Sequence, residues 1–441
     1  MRIKDYIISK ALELLKLYPL CDSCLGRQFA LLGYGLENKE RGYAIKTLLL
    51  MEIAYPTSSL TDAELIRLLA RTGFRPALDL AEKLGINVKV EPCFLCENKL
   101  DTLEELASKI CRELRKIDFS SFLVGSLVPA RILKREEELR VRHNLEFSES
   151  IKREINRRIG KIIQSNLGKQ VEFKRPDLLV LVDIGSFTFT VEIFPIYVAG
   201  NYRKLTRSLP QSRWPCRECS GKGCLRCGYR GKLRSLSIEE LIGTIILKYF
   251  QAESAILHAA GREDIDARML GTGRPFVIEV RRPLVRRVDL KRLEIELNSS
   301  FKGILEVFNL RFVEPDLARY IKLSSSARRK LYRAMIEVGR ELKVSDLERL
   351  EKTLEGRIIY QRTPLRVVHR RKDIVREKKV YEFKVIAQPR PNSLIALILA
   401  QGGLYIKELV SGDQGRTTPS VSDIVNSEAR CTVLDVMGVE S

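Results

Sequence analysis

Histidine is scarce in this chain, with only His143, His258 and His369 among 441 residues. A His-based hydrolase triad or a His-rich catalytic zinc site therefore has little material. Carboxylates are also short: 56 Asp and Glu face 77 Lys and Arg, a net charge of +21 and a pI near 9.6. Such an excess of cations implies a polyanionic partner, with nucleic acid the leading candidate. An anionic membrane surface is the competitor, but no basic helix shows the clean apolar face that would lie in an interface. No hydrophobic run approaches a membrane span. The opening MRIKDYIISKALELLKLYP is interrupted by Lys4, Asp5, Lys10, Glu13 and Lys16, so it lacks the apolar core of a signal peptide. A soluble, cytoplasmic protein is expected. No Gly-x-x-x-x-Gly-Lys-Ser/Thr loop, Gly-x-Ser-x-Gly elbow, internal repeat or low-complexity tract is present. VDIGSF, at 182 to 187, lacks the later glycines of a dinucleotide or methyl-donor loop.

What is present is a 45% hydrophobic content, enough for real cores in two or three domains. Eight of the ten cysteines form four Cys-x-x-Cys pairs: Cys21 with Cys24, Cys93 with Cys96, Cys216 with Cys219, and Cys224 with Cys227. Each pair presents two thiolates to one tetrahedral ion, and two pairs complete it. Structural zinc is the reading for both sets, since four thiolates leave no open coordination position. Disulfides, redox chemistry and an iron–sulfur cluster are the alternatives. In WPCRECSGKGCLRCGYRGK all four thiols lie close in sequence, with Gly221, Gly223 and Gly228 to fold the turns back. CDSC and CFLC need a fold to bring them together.

The periodicity predicts an α+β protein in three parts. Residues 1–100 read as a helical, zinc-bound module with helices near 3–17, 39–53, 61–72 and 76–84. Residues 101–210 read as a small α/β domain: a helix near 102–115, the strand-like SFLVGSLVP, a charged helix near 148–166, and strands at 178–183 and 188–194. Its end, NYRKLTRSLPQSRWP, reads as a linker. Residues 211–441 read as a larger mixed domain with the compact cysteine set at its start. Helices are expected there at 237–251, 325–340 and 344–354, and strands at 275–280, 305–312, 365–369, 379–387 and 393–399.

Three stretches could carry chemistry. GREDIDARMLGTGRPF sets Glu263, Asp264 and Asp266 among Arg262, Arg268 and Arg274. Nearby cations offset the desolvation that otherwise raises an acid's pKa, so a carboxylate there stays ionised under a substrate. A solvated turn with surface ion pairs is the plainer alternative. QRTPLRVVHRRKDIVREKKVY packs Arg366, Arg370, Arg371 and Arg376 too densely for a buried strand and suits phosphate contact; a solvated hairpin is the alternative. QGGLYIKELVSGDQGRT adds paired glycines, Tyr405 and Lys407. Tyr332, on the helix expected at 325–340 among Arg328, Arg329, Lys330 and Arg333, suits base stacking on a cationic face.

Taken together and in this order, the three stretches resemble the tRNA pseudouridine synthase family of archaea and eukaryotes that acts on uridines 54 and 55 in the T arm. The CDSC and CFLC pairs match that family's zinc-bound accessory region, and the middle segment resembles a THUMP domain, an RNA-binding module. The resemblance implies a mixed-sheet pseudouridine synthase catalytic domain and an isomerase that uses no organic cofactor, with structural zinc. The implied partner is the tRNA T arm, with no membrane and no obligate protein partner. By the same resemblance Asp264 is the catalytic aspartate, with Asp266 as runner-up. Tyr332 and Tyr405 contact the target base, and Arg262 holds the target nucleotide. Lys407 stands at the motif position where other pseudouridine synthases often carry an arginine paired to the aspartate. Two other readings compete: a non-catalytic, zinc-containing tRNA-binding adaptor, and a divalent-metal nuclease in which Glu263, Asp264 and Asp266 share an ion.

Overall fold

The computed structural model describes residues 3–33, 35–52, 62–232, 236–323 and 328–439. They form two compact units, residues 1–194 and 195–441. Among the described residues no helix is long and apolar enough to cross a membrane.

The first unit places helices around a four-stranded sheet. Its strands are β1 (Ser121–Leu127), β2 (Gln170–Val171), β3 (Leu178–Asp183) and β4 (Thr188–Ile193), ordered β2-β1-β3-β4. β1 runs parallel to β2 and β3, while β4 closes the edge antiparallel to β3. The helix Ile151–Leu167 shows why the local sequence folds as it does. Ser150 caps it by accepting from the Arg153 N–H at 3.3 Å, satisfying one of the donors a helix start leaves free. Ile151, Ile155, Ile159 and Ile163 recur every fourth residue and are fully buried. Burying each contributes roughly 1.5–3 kcal/mol. The expected helices of this unit are all present, with ends shifted by a few residues. Sequence periodicity did not reveal the helix Ala130–His143, whose KREEELRVRH run is mostly solvated.

The second unit is built on a ten-stranded mixed sheet. Its strands are β5 (Ile196–Lys204), β6 (Ser254–Ala259), β7 (Arg268–Arg281), β8 (Leu305–Val313), β9 (Arg329–Val338), β10 (Ile358–Arg362), β11 (Val375–Arg390), β12 (Ser393–Gln401), β13 (Thr417–Thr418) and β14 (Ala429–Val439). The order is β13-β10-β11-β12-β9-β14-β7-β5-β8, with β6 also on β7. Among the described residues of this sheet, only β7 and β14 pair in parallel. Helices Ile238–Phe250 and Val344–Leu354 lie where expected.

Three expectations are corrected. The helix at 325–340, part of which lies outside the described residues, is strand β9, and Tyr332 sits on it. Its burial alternates strictly, with Lys330, Tyr332, Ala334, Ile336 and Val338 buried. Pairing with β12 on one side and β14 on the other overrides the helix propensity of Leu331, Arg333, Ala334 and Met335. The strand at 365–369 is a short 3-10 helix, Leu365–Arg370. Pro364 cannot donate to a ladder, and its carbonyl accepts from Val367 N–H at 2.9 Å to close the turn. The linker begins later than expected: residues 196–204 are β5, with Tyr202 and Lys204 fully buried, so the division between units falls after 194 instead of 210.

Candidate active site

The Gly-Arg-Glu-Asp-Ile-Asp stretch forms the connection from β6 to β7, and its backbone is held from several directions. Glu263 is buried and paired to the equally buried Arg274 of β7 at 2.7 Å. Tyr202 of β5 donates its hydroxyl to Glu263 at 2.9 Å. Gln211 donates to the Tyr202 oxygen at 2.8 Å and to the Gly261 carbonyl at 3.0 Å. Arg274 also donates to the Ala260 carbonyl at 2.6 Å. Beyond Asp264, the ammonium of Lys204 donates to the carbonyls of Leu209 (3.0 Å), Asp264 (3.2 Å) and Ile265 (2.9 Å). Burial pulls the Lys204 pKa down to about 8. With both flanks fixed, the Asp264 side chain is left on the open side of the loop.

There it meets cations from the two other stretches singled out in the sequence. Arg366 Nη1 lies 3.1 Å from Asp264 Oδ1, and Lys407 Nζ lies 3.7 Å from Oδ2. Arg366 is itself gripped by Glu408, 2.5 Å from its Nε, and lies over the Tyr405 ring with its guanidinium carbon 5.7 Å from the centroid. Burial opposes the charge on Arg366, but Glu408 and Asp264 hold its pKa above the usual arginine range. Tyr405 is fixed by a two-way bond to Gln361, its N–H donating at 2.8 Å and its carbonyl accepting at 3.1 Å. Arg371 donates to the Tyr405 hydroxyl at 2.9 Å.

These groups surround a pocket of about 370 Å3 whose walls include Gly261 to Asp264, Lys330 and Tyr332 of β9, Leu434 and Val436 of β14, and the Gly402–Ile406 turn. That volume is at the lower end of the range for small-molecule sites, which suits one nucleotide. Tyr332 is buried, and this desolvation, moderated by the Arg274 cation and reinforced by Asp264, raises its pKa to about 12. Its hydroxyl is thus protonated at neutral pH. A larger cavity of about 920 Å3 lies in the first unit, where the helix Ile151–Leu167 supplies Lys152, Arg153, Arg157 and Lys161 opposite Leu123, Val171 and Phe173. It brings together no comparable set of carboxylate and tyrosines.

Among the residues expected from sequence, Asp264, Tyr332, Tyr405, Arg262, Arg366, Arg371 and Arg376 line the one pocket. Arg262 reaches Ser212 Oγ at 3.2 Å. Lys407 divides its attention: its ammonium is 2.6 Å from Asp266, nearer than to Asp264. The guanidinium beside Asp264 comes instead from Arg366, which the sequence suggested only as a phosphate contact. Arg370 lies outside the residues whose side chains are described. Tyr202, Lys204, Gln211 and Glu408 were not foreseen. Glu263 pairs with Arg274 and Asp264 with Arg366, and Lys407 stands between Asp264 and Asp266. Among the described residues, the only sets of three or more potential metal ligands that converge are Cys21, Cys24, Cys93 and Cys96, and Cys216, Cys219, Cys224 and Cys227. The shared-ion geometry that a metal nuclease requires is therefore missing.

Both cysteine sets have sulfurs within 4.8 Å of one another and are free of disulfides. The Cys21–Cys96, Cys216–Cys224 and Cys224–Cys227 sulfurs are 3.6, 3.7 and 3.8 Å apart. Tetrahedral thiolates about 2.3 Å from one ion would stand roughly 3.8 Å apart. Backbone N–H groups of Gly223 and Cys224 donate to Cys219 and Cys227 at 3.1 and 3.2 Å, as thiolate ligands require. Both sets can hold a metal ion.

Comparison with known proteins identifies the chain. The family model described as "Pus10, C-terminal" matches residues 197–440, and "Pus10 THUMP domain, archaeal" matches residues 106–183. The tRNA pseudouridine synthase Pus10 of Methanopyrus kandleri is 43% identical over 98% of this chain and 98% of its own. That of Thermofilum pendens is 41% identical over 96% and 93%, and that of Methanocaldococcus jannaschii 40% identical over 97% and 93%. Among solved structures, a chain of a Cbf5-Nop10-Gar1 complex aligns over 54% of this chain and 48% of its own at 15% identity and a TM-score of 0.30, a level on which nothing rests. The chain belongs to the Pus10 family of tRNA pseudouridine synthases, a family of isomerases.

Proposed function

We propose that the protein converts uridine 54, uridine 55 or both in the T arm of tRNA to pseudouridine, with Asp264 as the essential side chain. One observation carries this reading: a backbone-clamped, partly exposed carboxylate at a one-nucleotide pocket walled by two tyrosines, one buried and one held by Arg371. The reaction breaks the bond from ribose C1′ to uracil N1, turns the base, and joins C1′ to C5. C5 loses its proton and N1 ends with one, so no oxidant, reductant or second substrate is consumed. A stacked T-arm uridine must be extruded to meet Asp264, at a cost of a few kcal/mol. Stacking on an aromatic ring returns about 1–3 kcal/mol, and phosphate contacts supply the rest.

In this reading Arg366 sets the orientation of Asp264, Tyr332 and Tyr405 face the flipped base, and Arg262 holds the nucleotide at the rim. Lys407 ties Asp266 back, which leaves Asp264 as the carboxylate free for the reaction. Arg371, Arg376 and the solvated β10–β11 hairpin take backbone phosphates, as does the cationic groove of the first unit. Both cysteine sets hold structural zinc, and the protein works in the cytoplasm. The test is to incubate the protein with an unmodified tRNA transcript and map pseudouridine by position. New pseudouridine at 54 or 55 supports the proposal. Tight tRNA binding without any new pseudouridine would return the protein to the adaptor reading.

A further inference from the structure

Seven of the side chains lining the pocket are cationic and two are carboxylates. Five of those cations are engaged: Arg274 by Glu263, Arg366 by Asp264, Arg371 by Tyr405, Arg376 by Thr363 at 2.9 Å and Arg262 by Ser212. Lys330 and Lys378 have no side-chain hydrogen-bond or ion-pair partner among the described residues. For Lys330 this is costly, because the residue is only 7% exposed. Its two-residue spacing from Tyr332 on β9 puts both on the same buried face. An ammonium so placed without a direct partner carries a desolvation cost. Burial, with Arg274 and Lys378 nearby, lowers its pKa to about 8 against the opposing charge of Glu263.

Two glycines shape the space around these lysines. A Cβ on Gly261, just ahead of the Asp264 loop, would stand 2.7 Å from Lys330 Nζ. A Cβ on Gly403, just ahead of Tyr405, would stand 3.3 Å from Lys378 Cε and 3.5 Å from its Nζ. Both ammonium groups thus border the glycine backbones that carry the carboxylate and the second tyrosine. Uracil and ribose are neutral; the anions that accompany an extruded uridine are its two flanking phosphates.

We infer that Lys330 and Lys378 form the seat for one phosphodiester bordering the extruded uridine, anchoring the nucleotide through its backbone while Asp264 faces its sugar and base. This rests on the reading of the pocket as the place where a uridine is isomerised. The seat explains why a lysine occupies the buried face of β9 beside Tyr332, Ala334, Ile336 and Val338, and why two pocket cations have no side-chain partner when the other five do.

The test uses the full chain and full-length tRNA assembled by ligation. One linkage, either 5′ or 3′ of the mapped uridine, is replaced by a neutral methylphosphonate with a 2′-O-methyl group on the preceding ribose. The matched 2′-O-methyl phosphodiester tRNA is the reference. At one of the two positions the neutral linkage should lower kcat/KM of the unmutated protein about tenfold. Lys330→Met and Lys378→Met should each lose a similar factor on the reference tRNA, and lose less than about a further twofold when that linkage is already neutral. Lys378 is only partly buried, so its variant tests the seat without disturbing the core, and Lys330→Arg should recover part of the activity. Losses that multiply at both linkages in both variants would overturn the inference, placing the lysines on the base or in a structural role. So would both variants keeping full kcat/KM. If the unmutated protein makes no pseudouridine on the unmodified full-length tRNA, the functional reading has failed, and that outcome is distinct from either result for the lysines.

Discussion

Asp264 differs from its two acidic neighbours in what restrains it. Glu263 is buried against Arg274 and Tyr202, and Asp266 is largely exposed with Lys407 at 2.6 Å. Asp264 meets the Arg366 guanidinium and remains partly exposed at the pocket, whereas Glu263 lines the same pocket fully buried against Arg274. Asp266→Asn should therefore leave kcat within about threefold, a change under roughly 0.7 kcal/mol. Arg366→Lys should lower kcat by about tenfold or more with tRNA affinity nearly unchanged. An ammonium cannot bridge Asp264 and Glu408 while covering the Tyr405 ring as the planar fork does. Separate measurement of single-turnover rate and Kd checks both variants. The acids, the tyrosines and Lys407 were legible because they sit in long, distinctive motifs. The role of Arg366 was not, since one arginine in a basic run looks like any other until the fold brings Glu408 against it.

At the scale of elements, Asp435 ties the Asp264 loop to the centre of the sheet. Its carboxylate on β14 accepts from Arg207, from Arg268 at the start of β7, and from Arg333 of β9, at 2.6, 2.9 and 2.8 Å. Burial pushes this carboxyl up, but the three guanidinium groups dominate and hold it at about 2. An acid held below its unfolded value contributes stability that is present above that value, and this is lost as pH falls through it towards 2. Asp435→Asn should thus cost about 2 kcal/mol at pH 7, and the gap between variant and unmutated protein in urea unfolding should narrow from about pH 4 towards pH 2. A gap independent of pH would mean that Asp435 contributes through packing alone. Periodicity located most helices and the strands β7, β8, β11 and β12. It failed on β9, where cations and helix formers occupy alternate positions of a strand, and on β5, where Tyr202 and Lys204 look like linker residues. Both are buried because their polar ends meet partners distant in sequence, which no local pattern encodes.

For the whole molecule, the net charge of +21 and the two cysteine sets make separate demands. Binding through about six phosphates should weaken by roughly 1,000-fold between 50 and 200 mM salt, and equilibrium binding of tRNA across that range checks it. A flat response would rule out phosphate contact as the main source of affinity. Metal analysis should find about two zinc equivalents per chain, with Cys93→Ser and Cys224→Ser each losing one and melting at lower temperature, because metal binding is coupled to folding. The pairing of CDSC with CFLC was predictable only as a requirement, since nothing local says that segments about 70 residues apart meet; Cys21 and Cys96 do so at 3.6 Å. The measurement that bears most directly on the central claim is positional mapping of pseudouridine in a T-arm-containing tRNA transcript treated with the unmutated protein and with Asp264→Asn, alongside tRNA Kd values for both. The account predicts pseudouridine at 54 or 55 with the former, none with the latter, and affinities within about threefold. Pseudouridine formed by Asp264→Asn at a comparable rate would contradict it.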